Sequence, residues 1–247
     1  MVRRLLIRGV AAGAAILGAE VVYAVLQHAP RQTEFDPSGI LGDPSHEPYR
    51  VAVLGDSSIT APGVAGPHEI WVRLVCDRIA EKRHVILRSF AVSGSRADDL
   101  LNGQLESALA FRPDLAIVSV GANDVIHGVG LRPFEKRLDE LVAALTETGA
   151  LTILSGVGDI GTIPRLKPPL RNLMSRRSER FDRVHHLVAS RYGAHVVEHR
   201  KDDPMIWYSD RALWSADLFH VSAAGHARWA DSTWRTVEPL LENHGSG

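Results

Sequence analysis

A chain of 247 residues, 45% hydrophobic and 23% charged, has enough apolar mass for one substantial core. Its formal net charge of -1 lacks the clustered positive field that nucleic-acid binding calls for. The single cysteine, Cys76, excludes an intramolecular disulfide and a cysteine-rich zinc site, and within IWVRLVCDRIA it reads as a small core residue.

The chain opens MVRRLLIRGVAAGAAILGAEVVYAVLQHAP, where Arg3, Arg4 and Arg8 precede an apolar run from Gly9 to Leu26 broken only by Glu20. Such a run approaches the roughly 20 helical residues that cross a bilayer, and the arginines would keep the N-terminus cytoplasmic. Residues 1–29 are therefore expected to be a signal anchor, with the rest of the chain membrane-anchored outside the cytoplasm. If the weak site VYA, ending at Ala24, is cleaved, the protein is secreted. Glu20 is costly in hydrocarbon, which is the argument for a buried soluble helix instead. Residues 30–48, PRQTEFDPSGILGDPSHEP, are rich in proline, glycine and polar residues and read as a linker, so the folded domain is expected over residues 49–247, as a monomer.

From there two periodicities alternate. Short apolar runs at Tyr49 to Leu54, His84 to Phe90, Asp114 to Val120, Leu151 to Leu154 and His195 to Val197 are candidate buried strands. Between them, HEIWVRLVCDRIAEK puts Ile70, Leu74 and Ile79 near one helical face. RPFEKRLDELVAALTETG does the same with Phe134, Leu138, Leu141 and Leu145, then stops at Gly149. Strands alternating with helices predict an α/β fold: a three-layer α/β/α sandwich around a central, mainly parallel five-stranded sheet. Ligands of such folds sit beyond the carboxyl ends of the strands.

Three of those ends carry polar loops: GDSS after the first strand, AVSGSR after the second and SVGAND after the third. Near the C-terminus, SADLFHVSAAGH adds Asp217 and His220 in one local turn. A serine hydroxyl is a poor nucleophile unless a histidine takes its proton and a carboxylate orients that histidine. Ser57, His220 and Asp217 supply those groups. An oxyanion needs donors fixed in advance, and the Ser57 amide, Gly94 and Asn123 offer them. Ser57 also suits a helix cap, Gly94 a turn with positive φ, and Asp56 and Asp124 are loop-bracing acceptors rather than reactants. His226 falls on the final helix without an assigned role.

In order and approximate spacing, GDSS, the glycine of VSGSR, GAND and DLFH resemble the blocks of the GDSL, or SGNH, hydrolases, over residues 50 to 235 or so. The resemblance implies a flavodoxin-like sandwich and hydrolysis of lipid, acyl or O-acetyl esters through an acyl-enzyme. It carries over as nucleophile Ser57, base His220, orienting acid Asp217, and an oxyanion hole of Ser57, Gly94 and Asn123, with no metal and no other cofactor. The first block reads Gly-Asp-Ser-Ser rather than Gly-Asp-Ser-Leu, and Ala91-Val92-Ser93 stands where many members have an asparagine before the glycine. An acyltransferase would use the same triad, and a non-catalytic membrane-anchored interaction domain would keep the fold without the chemistry. A two-metal phosphoesterase needs aspartates and histidines at ligand spacing, and GAND lacks the following histidine. The expected partner is a small-molecule or lipid ester. Arg165, Lys167, Arg171, Arg176, Arg177 and Arg180 against Glu179 would suit an anionic or membrane-surface substrate, or a solvated helix face. Trp207, Tyr208 and Trp214 would suit an acyl or sugar pocket, or core packing.

Overall fold

A computed structural model describes residue 20 and residues 32–201 and 204–244. Apart from Glu20, the candidate anchor at residues 1–29 lies outside the described residues, and no helix among those described is long and apolar enough to cross a membrane.

The strands are β1 (Gly39–Leu41), β2 (Pro48–Gly55), β3 (His84–Ser89), β4 (Leu115–Ser119), β5 (Leu151–Ser155) and β6 (His195–Val197). They form one sheet in the order β1-β3-β2-β4-β5-β6. All neighbours are parallel except β1, which runs antiparallel to β3. The sheet therefore has six strands, one more than expected, and the extra strand comes from the segment read as a linker. Three residues, Gly-Ile-Leu, are too few to show a period of two. What fixes them is not in their own pattern: Ser38 Oγ donates to Asp36 at 2.5 Å and accepts the Ser89 amide at 2.9 Å, tying β1 to the end of β3. Phe35 also packs against the domain, and its amide donates to Thr60 O at 2.8 Å.

β4 (LAIVS) and β5 (LTILS) are buried along their whole length, as continuous apolar runs in a parallel sheet covered on both faces must be. Alternate side chains point to opposite faces and build two cores. Ala52, Leu54, Ala116 and Val118 meet helices α3 (Ala97–Gly103), α6 (Leu131–Glu147) and α7 (Leu170–Tyr192). Phe134 of α6 and Phe181 of α7 are fully buried there with ring centroids 4.5 Å apart. Each such ring contributes about 1.5–3 kcal/mol by burial. On the other face Val51, Val53 and Ile117 meet α2 (Trp71–Ala80) and α9 (Ala223–His244), where Cys76 is buried as expected. The short helices α1 (Ser57–Thr60), α4 (Leu105–Ala110), α5 (Ala122–Ile126) and α8 (Pro204–Ser209) sit at the loops. α1 and α5 follow β2 and β4 at the carboxyl edge, where the polar loops converge.

Candidate active site

Gly55 ends β2 under a steric constraint. A Cβ there would stand 2.7 Å from Ser119 O and 2.9 Å from Ile59 Cγ1, so only glycine lets the chain turn this tightly against β4. Asp56 then caps the single turn of α1, its Oδ1 accepting the Ser58 amide at 2.9 Å. Ser57 is the first residue of that turn, so its own amide has no acceptor inside the helix. The turn closes at Ala61, a left-handed residue (φ 47°) whose N–H donates to Ser57 O. Trp71 pins it from below, its indole N–H reaching Ser58 O at 2.9 Å.

Asp217 and His220 arrive as one unit. Trp214 and Val221 pair as an isolated antiparallel bridge, and Ser215 N donates to His220 O at 2.8 Å, closing the loop between them. Inside it Leu218 adopts a left-handed φ of 61°, which turns the chain back on itself. Asp217 is the organising group. Its Oδ1 accepts Ser215 Oγ (2.6 Å), Phe219 N (2.9 Å) and His220 N (2.9 Å), and its Oδ2 accepts His220 Nδ1 (2.6 Å). Burial by itself would raise this carboxyl, but the hydrogen bonds from His220, Ser215 and the two amides outweigh it and hold Asp217 far below the usual carboxylate range. Ser57 and His220 line the same cavity, without a direct hydrogen bond between them. Catalytic hydrogen bonds often tighten only when substrate binds.

Asn123, in the first turn of α5, reaches across to the loop that carries Ser57. Its Nδ2 donates to Asp56 Oδ2 at 2.9 Å and to Ser95 O at 3.1 Å, joining the loops after β2, β3 and β4. Gly94 is the left-handed residue (φ 80°) of a turn closed by Ser95 N donating to Val92 O, and it does not line the cavity. Asp56 is buried and its pKa is raised by that burial, against the bonds from Ser58 and Asn123. Asp124 is pushed up to about 6 by burial, although its carboxylate accepts the Ala97 amide. Both are braces, as read from the sequence.

Sequence reasoning missed Gln104. β3 pairs with β2 only as far as Ser89 opposite Val53, and beyond it the Val92 amide still donates to Gly55 O at 3.1 Å, but Gly55 N would have no backbone partner on that side. The buried Gln104 side chain completes that edge. Its Oε1 accepts Gly55 N and its Nε2 donates to Gly55 O, both at 2.9 Å, and Nε2 also reaches Ser95 Oγ at 3.2 Å. The signal was present: Leu100, Gln104 and Ala108 recur every four residues, one amide in an apolar stripe.

The cavity encloses about 140 Å³. It is walled by Trp207, Trp214, Phe219 and Trp229, and Ser155, His199 and His226 also line it. Burial pushes the His199 ring down to about 4 and that of His226 to about 3, so both are neutral at physiological pH. The basic stretch turns partly inward. Arg165 Nε donates to Asp217 O at 2.5 Å, Arg171 lies 5.6 Å over the Tyr208 ring, and Arg177 binds the carbonyls of Val125 and Val129. Lys167, Arg176 and Arg180 are exposed. Among the described residues no group of three or more histidine, cysteine, aspartate or glutamate side chains is arranged to hold a metal ion.

The family model described as GDSL-like lipase/acylhydrolase matches residues 53–228. The GDSL-like esterase Rv1075c of Mycobacterium tuberculosis is 29% identical over 194 residues; the match takes in 76% of this chain and 62% of that protein's length. Among solved structures, TesA superposes with a TM-score of 0.63 at 26% identity, covering 77% of this chain and 99% of TesA. The psychrotrophic esterase EstA of Pseudoalteromonas sp. gives 0.63 at 22% identity, covering 78% of this chain and 98% of EstA. The acetylxylan esterase Axe2 of Geobacillus stearothermophilus gives 0.63 at 20%, covering 79% of this chain and 94% of Axe2. The last two likenesses show the fold.

Proposed function

This chain belongs to the GDSL-like lipase/acylhydrolase family, and from that premise we propose that it hydrolyses carboxylic esters through an acyl-enzyme formed at Ser57. The observation that carries the reading is the Asp217–His220 bond of 2.6 Å in a turn that opens onto the Ser57 cavity. With Nδ1 of His220 donating to Asp217, Nε2 is the basic nitrogen. It takes the Ser57 proton as Oγ attacks the ester carbonyl, then returns that proton to the departing alcohol. Water, activated by the same nitrogen, releases the acid and frees Ser57. The developing oxyanion is received by the Ser57 amide at the start of α1, by the Gly94 amide after a small movement of its turn, and by Asn123 Nδ2. For this the proton that Asn123 now gives to Ser95 O is redirected to the oxyanion.

The test is hydrolysis of p-nitrophenyl esters by the wild type and Ser57→Ala, alongside fluorophosphonate labelling of both. Activity and labelling that vanish together in the variant support the reading. Labelling that persists in Ser57→Ala, or activity lost to EDTA and restored by a divalent metal, refutes it.

We also propose that residues 1–29 hold the domain at the outer face of a membrane. The triple-arginine flank and apolar run support this, and carbonate extraction of membranes from expressing cells tests it: an anchored chain stays in the pellet.

A further inference from the structure

Beyond Ser57 the cavity carries a second line of polar groups that ester cleavage leaves unused, and strand register builds it. Gly55, Ser119 and Ser155 occupy matching positions at the ends of β2, β4 and β5, and Val197 of β6 matches Ser155. Strands lie ~4.8 Å apart, so Ser155 stands about 10 Å across the sheet edge from the end of the nucleophile strand. The hydroxyls are linked in pairs: Ser58 Oγ with Ser119 Oγ at 2.7 Å, and Ser155 Oγ with His199 Nε2 at 2.9 Å.

The second pair has a defined polarity. His199 Nδ1 is buried with no partner. An unpaired lone pair is tolerated better in such a place than an orphaned N–H, so the ring proton belongs on Nε2, which donates to Ser155 Oγ. The hydroxyl proton of Ser155 is then unspent, and Ser155 lines the cavity. In the Ser58–Ser119 pair one hydroxyl proton is likewise left over, because only one oxygen can donate between them.

Nothing here asks for a charged ligand. His199 and His226 are neutral, and the one arginine among the described residues that line the cavity, Arg200, is occupied by Asp182 (2.6 Å), Ser178 Oγ (2.6 Å) and Gly158 O (2.8 Å). The same cavity has an aromatic lining in which Trp207 lies 5.7 Å from Trp214 and 6.0 Å from Trp229 between ring centroids. The cavity, about 140 Å³ in all with the Ser57 end included, has room for one six-membered ring, since a similar volume holds benzene, so a ring whose ester-bearing end lies toward Ser57 extends its other end to Ser155.

We propose that the far half of this cavity is a subsite for an uncharged, hydroxyl-bearing alcohol moiety of the ester, whose hydroxyls bond Ser155 and Ser119 while its carbon skeleton lies against the tryptophans. This rests on the ester-hydrolase reading above. A sugar and a glycerol unit share the required chemistry.

The experiment compares 6-O-acetylglucose, 1-acetylglycerol and ethyl acetate, three esters of one acid, in the wild type, Ser155→Ala and His199→Phe, with near-UV circular dichroism checking the fold. The wild type should prefer a polyol acetate over ethyl acetate by about 10-fold or more in kcat/KM, because a site built to bond hydroxyls discriminates against a substrate that lacks them. Each variant should shrink that ratio about 3- to 10-fold, the equivalent of one neutral hydrogen bond. Which polyol leads tells a sugar from a glycerol source. A wild-type ratio near 1, or a ratio unchanged in both variants, overturns the proposal. So does a rate that climbs from p-nitrophenyl acetate to octanoate with no polyol preference, which would give the far half to the acyl chain. Should the wild type cleave none of these esters, it is the hydrolase reading that fails. The subsite is then read from tryptophan fluorescence of Ser57→Ala titrated with glucose, glycerol and 1-propanol. A saturable response to a polyol that Ser57→Ala/Ser155→Ala lacks supports it, and no such response overturns it.

Discussion

Asp217→Asn separates the two tasks of one carboxylate. Three of its four hydrogen bonds fall on Oδ1 and hold the turn; one, from His220 Nδ1, falls on Oδ2 and holds the base. An asparagine with its carbonyl oxygen in place of Oδ1 keeps all three turn bonds, now to a neutral acceptor. Its NH2 group then faces His220 Nδ1, which must become an acceptor, so the ring proton moves to Nε2 and the base points a hydrogen at Ser57. Reversing the tautomer in this way costs about 10⁴ in kcat in a serine triad. Charge-assisted hydrogen bonds exceed neutral ones by about 1 kcal/mol, so the turn loses about 1–3 kcal/mol in all. Asp217→Ala should lose kcat to the same degree and stability further, because two amides and a serine lose their acceptor. The assays are p-nitrophenyl acetate turnover and thermal unfolding at neutral pH. Because the Asp217 pKa is depressed in the folded state, its stabilisation is complete above the unfolded value of 3.8 and is lost as pH falls below it. The wild-type advantage in Tm should therefore narrow in that acid range. An Asp217→Asn enzyme within about tenfold of wild type would refute the tautomer argument, and equal Tm values for the two variants would refute the division of labour between the oxygens.

Asp124 is the reverse case. Its pKa is raised to about 6, so the folded state binds the extra proton and stability falls as pH rises from 3.8 through 6. Asp124→Asn keeps an acceptor for Ala97 N and should gain about 1 kcal/mol at pH 7 while flattening that slope, as read from urea unfolding at several pH values. Gln104→Leu leaves the amide of Gly55 buried and unpaired and its carbonyl bonded to Val92 N alone, an expected loss of about 1–3 kcal/mol in urea unfolding with a fall in kcat as the Ser57 turn loosens. Unchanged stability would mean that Gly55 finds other partners. Burial pushes the Cys76 thiol well above its usual range, so it should resist Ellman's reagent in the native protein and react fully in denaturant.

What the sequence made legible follows from how local the signals are. β4 and β5 announce themselves because burial on both faces demands unbroken apolar residues, and Asp217 and His220 are legible as a pair because one turn contains both. β1 was hidden because three residues show no period, and its pairing with Val85–Leu87 is set by distant residues and anchored by Asp36, Ser38 and Ser89. The basic stretch was legible only in part because residue type does not say where a side chain points: Lys167, Arg176 and Arg180 face solvent, while Arg165 and Arg177 donate to backbone carbonyls. Asn123 was found by its motif, yet its tie to both Asp56 and Ser95 depends on three loops meeting in space. Gln104 needed the observation that β3 stops short of Gly55, a matter of register between distant segments.

The Gln104 side chain that pairs the Gly55 amide also sets how the gene can change in length. It follows α3, seven residues that begin just past the Gly94 turn. Each residue inserted or deleted in that helix swings everything after it by about 100°, so one indel between positions 97 and 103 carries the amide off Gly55 and frees the nucleophile turn. Exposed positions such as Asn102 and Gly103 can meanwhile vary at little cost, whereas Asp99 caps the helix through the Arg96 amide. Among descendants of this sequence the stretch should drift freely in composition and hold constant in length.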